Sequence, residues 1–117
     1  MKRSLTKAEV LSRRSDIKRV FGSNDVYRTQ GLHLRIIAND LEWSRVLFAT
    51  PRMMRGSVVR NRSRRCVREA YRQVKSRITG HYDMAFVIYP GDYGFFDRLR
   101  QMETLLNQAD CIRPVEG

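Results

Sequence analysis

Acidic residues are scarce in this sequence. Only 12 Asp and Glu stand against 23 Lys and Arg, which leaves the 117-residue chain with a net charge of +11. Cysteine is scarcer still: Cys66 and Cys111 stand alone, with no CxxC and no histidine at ligand spacing. That argues against a zinc site and leaves both as reduced packing thiols. No apolar run approaches a membrane span. The opening Met1–Glu9 carries charge but no apolar core of signal-peptide length. A cytoplasmic protein without membrane contact is expected. The usual catalytic sets are missing too. There is no carboxylate pair, no Ser/His/Asp set and no HExxH. A nuclease using its own metals needs clustered Asp or Glu; Asp83, Asp92 and Asp97 are few, and read as lying at the edges of a sheet.

The basic residues are abundant and uneven. Arginine supplies 19 of the 23, a bias toward bidentate contact rather than simple solubility. From Arg52 to Arg77 there are ten Lys or Arg and one acid, Glu69. Such asymmetry points to a polyanion, either nucleic acid or an anionic membrane.

Residues 57–78 sharpen the choice. On a helical wheel with Arg60 at zero, Arg64, Arg68, Asn61, Arg72 and Arg65 fall between about 0° and 140°, and Lys75 joins them. Val59, Cys66, Ala70, Val74 and Val67 cluster between about 240° and 340°. The spacing predicts a helix from about Ser57 to Ile78, with one face on a core and the other a strip of guanidinium groups. Arginine forks suit phosphate oxygens, and so dense a like charge repels itself unless something anionic neutralises it. Nucleic acid is the simplest such partner. Arg62 lies off the arc, near 200°, and either contacts the nucleic acid, contacts a sheet edge or caps a carbonyl. Asn61 is either a local cap or a nucleic-acid contact.

Thr6–Glu9 has capping-box spacing and opens a short turn. Ser15-Asp16 reads as the N-cap of a second helix carrying the apolar triplet Ile17, Val20 and Phe21, which stops at Gly22. Residues 31–39 alternate: Leu32, Leu34 and Ile36 face one way, His33, Arg35 and Ile37 the other. Residues 43–50 make a further strand, and the two are expected to form a hairpin across Asn39-Asp40. A strand around Val26–Thr29 can precede them. Met84–Tyr89 is continuously apolar, as in a central strand covered on both faces. Phe96, Leu99, Met102, Leu105, Leu106 and Ala109 repeat at helical spacing. Trp43 and Tyr71 read as packing. The order is helix, two or three strands, long helix, strand, helix, which is an α+β sandwich in one domain, 1–117. The tail from about Arg113 is expected to fray.

Arg45-Val-Leu-Phe-Ala-Thr-Pro-Arg52, Val59-Arg-Asn-Arg62, Arg64-Arg65, Arg68-Glu-Ala-Tyr71 and Tyr82-Asp83 follow one another in a fixed order. In that order and spacing the chain resembles the bacterial ribonuclease P protein subunit, from about Leu5 to Ala109. The resemblance implies an α-β-β-β-α-β-α fold with a left-handed strand–helix–strand crossover, a rare hand. It implies a catalytic RNA partner whose bound Mg2+ carries the chemistry, and precursor tRNA as the substrate that loses its 5′ leader. By position, Arg52, Arg60, Asn61, Arg62, Arg64, Arg65 and Arg68, with Arg72 on the same face, fall to the catalytic RNA. Ile17, Phe21, His33 and Arg35 fall to the leader. The family usually has an aromatic at Ile17 and near Arg35, a Lys pair at Arg52-Met53 and a glycine near Arg55, so the leader cleft here leans on cations more than on stacking. A small basic RNA-binding protein of ribosomal type is the alternative.

Overall fold

The strand Leu32–Ala38 explains the layering. Leu32, Leu34 and Ile36 are buried, while His33, Arg35 and Ile37 between them keep partial exposure. Alternation with period two places these triplets on opposite faces of a sheet, and each face has its own cover. The computed structural model describes residues 5–114, with a 3-10 turn at Lys7–Glu9, α1 (Arg14–Phe21), β1 (Val26–Thr29), β2 (Leu32–Ala38), β3 (Arg45–Ala49), α2 (Ser57–Val74), a second 3-10 turn at Lys75–Arg77, β4 (Tyr82–Ile88) and α3 (Phe95–Gln108). This is the expected α+β order, with β1 present.

The four strands run β1-β2-β4-β3 across one mixed sheet. β1 and β2 form the hairpin, turning at Gln30-Gly31, where Gly31 has φ +85°. Residues 31–39 and 43–50 do not form the expected hairpin. β4 lies between them, antiparallel to β2 and parallel to β3. Two antiparallel segments joined by a short turn suggest a hairpin locally, but a long apolar strand gains more by sitting where both faces are covered. α2 is therefore the crossover from β3 to β4.

One face of the sheet carries the main core. Leu32, Leu34, Ile36, Val46, Met84, Phe86 and Ile88 meet Val67, Ala70, Tyr71 and Val74 of α2 and Met102, Leu105 and Leu106 of α3. The other face carries a small cluster, in which Leu11, Val20 and Ala85 are buried among Ile17, Ile37 and Leu47. That cluster is where α1 sits.

Several local expectations shift. Arg13, not Ser15, is the N-cap of α1; Ser15 is its second residue, and Asp16 still favours the first turn. α2 ends at Val74 rather than Ile78. Val59 is 49% exposed and outside the core, because the first turns of α2 project beyond the sheet. Trp43 is 42% exposed, held by its Nε1 donating to the Ala8 carbonyl at 2.9 Å. Arg113 is tied down: its N–H donates to the Arg77 carbonyl at 2.8 Å, and the Arg77 Nε donates to the Arg113 carbonyl at 2.9 Å. Residues 115–117 lie outside the described range. Cys66 and Cys111 are free thiols, and burial pushes Cys111 up to about 11.

Candidate nucleic-acid interface

The sheet register builds the first half of the interface. On the α1 side the residues line up in rows across the strands: Ile37, Asp83 and Arg45; then Val26, Arg35, Ala85 and Leu47; then Arg28, His33, Val87 and Ala49. α1 is only eight residues long. Its apolar side covers Ile37, Ala85 and Leu47, while the Arg28–His33–Val87–Ala49 row carries no cluster above it. The result is an open floor with α1 as one wall. Phe21, the last residue of α1, stands 36% exposed at its margin.

The floor combines rings and cations. The His33 and Tyr89 ring centroids are 4.4 Å apart. Burial pulls the His33 imidazole below its ordinary value, and the charges of Arg28 and Arg35 act in the same direction. A neutral imidazole between two guanidinium groups offers a stacking surface without adding repulsion. Of the residues assigned to the leader, Phe21, His33 and Arg35 come together here. Ile17 is half-buried in the small cluster beneath α1. Arg35 is partly committed: its Nη1 donates to the Phe21 carbonyl at 3.0 Å and the Ser23 carbonyl at 3.4 Å.

Arg28 and Tyr89 went unnoticed in the sequence. Arg28 sits on a four-residue strand whose pairing partner cannot be read locally, and Tyr89 follows an apolar run that reads as core. The signal that finds them is the register, since both flank His33.

β3 runs from beneath α1 to Ala49 in the open row, and the Thr50–Gly56 loop then feeds α2. The arginine helix therefore starts at the open end of the floor. Its first turn has no acidic residue and Gly56 provides no side-chain cap, so no carboxylate of that turn offsets the positive end of the helix. Thr50, Pro51, Arg52, Met54 and Arg60 border a hollow of about 340 Å³ beside it.

Along α2 the pairing of the cations changes. Arg60 Nη1 donates to the Met54 carbonyl at 3.3 Å. Arg64 Nη2 donates to Asn61 Oδ1 at 2.7 Å, and its Nη1 to Thr50 Oγ1 at 3.4 Å. Asn61 is thus a brace for Arg64 and not a helix cap. The side chains of Arg52, Arg62, Arg65 and Arg68 are exposed and form no hydrogen bond or ion pair among the described residues. Arg62 accordingly caps no carbonyl there. Further along, Arg72 pairs with Glu69, and Lys75 with Glu9 at 3.1 Å. The helix is internally neutralised toward its C-terminus and left bare toward its N-terminus.

Carboxylates do not gather into a site. Among the described residues no three His, Cys, Asp or Glu side chains are grouped to hold a metal ion. Asp83 is not at a sheet edge, as its place in the sequence suggested. It is on the central strand, completely buried and saturated by hydrogen bonds from Arg45, Asn39 and Arg19. No described helix is long and apolar enough to cross a membrane.

With this geometry in hand, the known proteins decide the family. The family model for ribonuclease P matches residues 5–110. The chain belongs to the ribonuclease P family. A ribonuclease P protein component of Borreliella afzelii is 34% identical over 92 residues, covering 76% of this chain and 78% of the relative. One from Chloroflexus aurantiacus is 31% identical over 112 residues, covering 94% and 83%. Among solved structures, the ribonuclease P protein of Staphylococcus aureus superposes with a TM-score of 0.80 at 18% identity, covering 92% of this chain and 100% of that one. The Thermotoga maritima protein gives 0.76 at 21%, covering 93% and 99%. At those identities the structures speak for the fold. The family speaks for ribonuclease P and against the ribosomal-type alternative.

Proposed function

We propose that this ribonuclease P family chain is the protein subunit of the ribonucleoprotein. It acts in the cytoplasm on precursor tRNA, and its two surfaces divide the work. The bare arginine face of α2 binds phosphates of the catalytic RNA, through Arg52, Arg60, Arg62, Arg64, Arg65 and Arg68, by charge and shape more than by sequence. Asn61 holds Arg64 in place for that contact, and Arg72 serves at the paired end of the face. The open floor receives the single-stranded 5′ leader, with Phe21 and His33 as stacking surfaces and Arg28 and Arg35 as cations, a combination that tolerates many sequences.

The observation that carries this reading is the gradient along α2. Glutamates answer the cations at its C-terminal end, and nothing among the described residues answers Arg65 and Arg68. A merely solvated helix face has no reason to carry acids against its last cations and none against Arg62, Arg65 and Arg68.

This chain does not cut RNA by itself in this reading. Mg2+, held by the RNA, supplies the activated water and the charge neutralisation of phosphodiester hydrolysis. Among the described residues no carboxylate cluster stands ready to hold the ion, and the most buried carboxylate, Asp83, is occupied by arginines. What the chain contributes is position: it grips the RNA at one end of a short path and the leader at the other. The scissile bond is thereby presented, and the rate rises through orientation.

The test is cleavage of precursor tRNA by bacterial ribonuclease P RNA at low magnesium, with and without this protein. Restored cleavage at the mature 5′ end supports the reading. Unchanged cleavage, with the protein still tightly bound to RNA, makes it a general basic RNA binder.

A further inference from the structure

The carboxylate that the sequence left unexplained lies directly beneath α1. Asp83 belongs to β4 and points to the α1 side of the sheet, in one row with Ile37 and Arg45. A buried carboxylate needs hydrogen-bonded partners, and this one has four bonds. Arg45 donates Nε to Oδ1 at 2.8 Å and Nη2 to Oδ2 at 2.6 Å. Arg19 donates Nη2 to Oδ2 at 2.9 Å, and Asn39 donates Nδ2 to Oδ1 at 2.9 Å. Arg45 then spends its remaining Nη1 on Asp16 Oδ2 at 3.1 Å.

Asp16 and Arg19 are both on α1, three residues apart and so on one side of the helix. The carboxylate reaches α1 twice, once directly through Arg19 and once through Arg45 and Asp16. Helices this short do not hold by propensity. The apolar seat of α1, built on Val20 and Ile17, is small, and Arg35 holds only the last turn, at the Phe21 carbonyl. The two charged attachments hold the helix ahead of that turn. Phe21 follows Arg19 by two residues, so any roll about this anchor carries the Phe21 ring across the floor.

We propose that Asp83 and Arg19 are positioning residues for leader binding: the buried carboxylate sets the roll of α1 and thereby the place of Phe21. This rests on the reading of the floor as the leader site. Asp83 itself touches no RNA, being fully buried.

The experiment compares holoenzymes assembled with the catalytic RNA, carrying the wild-type chain, Arg19→Gln, Asp83→Asn or Leu106→Ala. The last is a control: Leu106 is buried on α3 in the opposite core, so its loss destabilises without reaching α1. Dissociation constants are measured for leader-bearing precursor and for mature tRNA, at a temperature where circular dichroism shows each chain folded. The expected result is that Arg19→Gln and Asp83→Asn reduce the preference for precursor by roughly tenfold, within what one base stacked on an aromatic ring supplies. Affinity of the protein for the catalytic RNA stays as in the wild type, and Leu106→Ala keeps the preference. If Arg19→Gln, which retains the buried carboxylate, keeps the preference, the positioning role is overturned. It is equally overturned if Leu106→Ala loses the preference to the same extent. If the wild type itself shows no preference for precursor, the assignment of the floor to the leader falls first, and this inference with it.

Discussion

Arg35 of β2 clasps the last turn of α1 at Phe21. Its Nη1 donates to the Phe21 carbonyl at 3.0 Å, and its guanidinium carbon lies 5.9 Å from the centre of the Phe21 ring. The guanidinium thus supports one face of the ring while satisfying a helix-end carbonyl. Backbone and ring are held by the same side chain, which leaves the ring placed and partly exposed.

Phe21→Ala is therefore expected to weaken binding of leader-bearing precursor tRNA by about 1–3 kcal/mol, the scale of one base stacked on an aromatic ring. Binding of mature tRNA should not change. Titrating both RNAs against the holoenzyme checks this, and equal weakening of the two would take Phe21 out of the leader site.

The arginine face makes a prediction about salt. About six phosphate contacts, at roughly 0.7–0.9 released counterions each, give a log–log slope of about four to five for catalytic-RNA binding. Arg64→Ala combined with Arg68→Ala should flatten that slope by roughly 1.4–1.8 and weaken binding at low salt. Filter binding across a potassium chloride series reads both. A wild-type slope near one would mean that phosphate contact is not the anchor.

Acid should act through Asp83. Burial alone would raise this carboxyl, but hydrogen bonds from Arg45, Asn39 and Arg19 outweigh it, and the group is held below the ordinary carboxylate value. A depressed folded-state pKa stabilises the fold above the unfolded value, near 3.8, and that contribution fades as pH falls through the folded value. Asp83→Asn should cost about 3 kcal/mol at neutral pH, the lower end for breaking a buried pair, because Arg19 and Arg45 keep some solvent. The gap between variant and wild type should narrow below about pH 4. Urea melts at pH 7, 4 and 3 measure it, and a gap independent of pH would exclude ionic anchoring.

Much of this fold is legible in the sequence because its signals are local. The wheel of α2, the alternation of Leu32–Ile37, the apolar run Met84–Ile88 and the Thr6–Glu9 box each fit within one element, and each element formed. The strand order was not legible. Whether 43–50 pairs with 31–39 or with 84–89 depends on which neighbour buries more, and no window of a few residues contains that comparison. The site divides the same way. The arginines announce themselves by density. The commitment of Arg35 to α1 and the saturation of Asp83 join residues 14 and 38–64 positions apart. Asp83 looked peripheral for the same reason, since a single acid in an apolar strand carries no sign of the two arginines and the asparagine that meet it.

The place of β4 has a consequence for the order in which the molecule is made. It is the last of the described strands to leave the ribosome, and among them it alone pairs with both the β1-β2 hairpin and β3. Until Tyr82–Ile88 has emerged, every arginine of α2 is already synthesised, but β3 lacks its parallel partner. The floor has no Val87 and α1 has no Asp83 to rest on. The basic segment is therefore complete before the sheet is, and the floor waits for the last third of the chain.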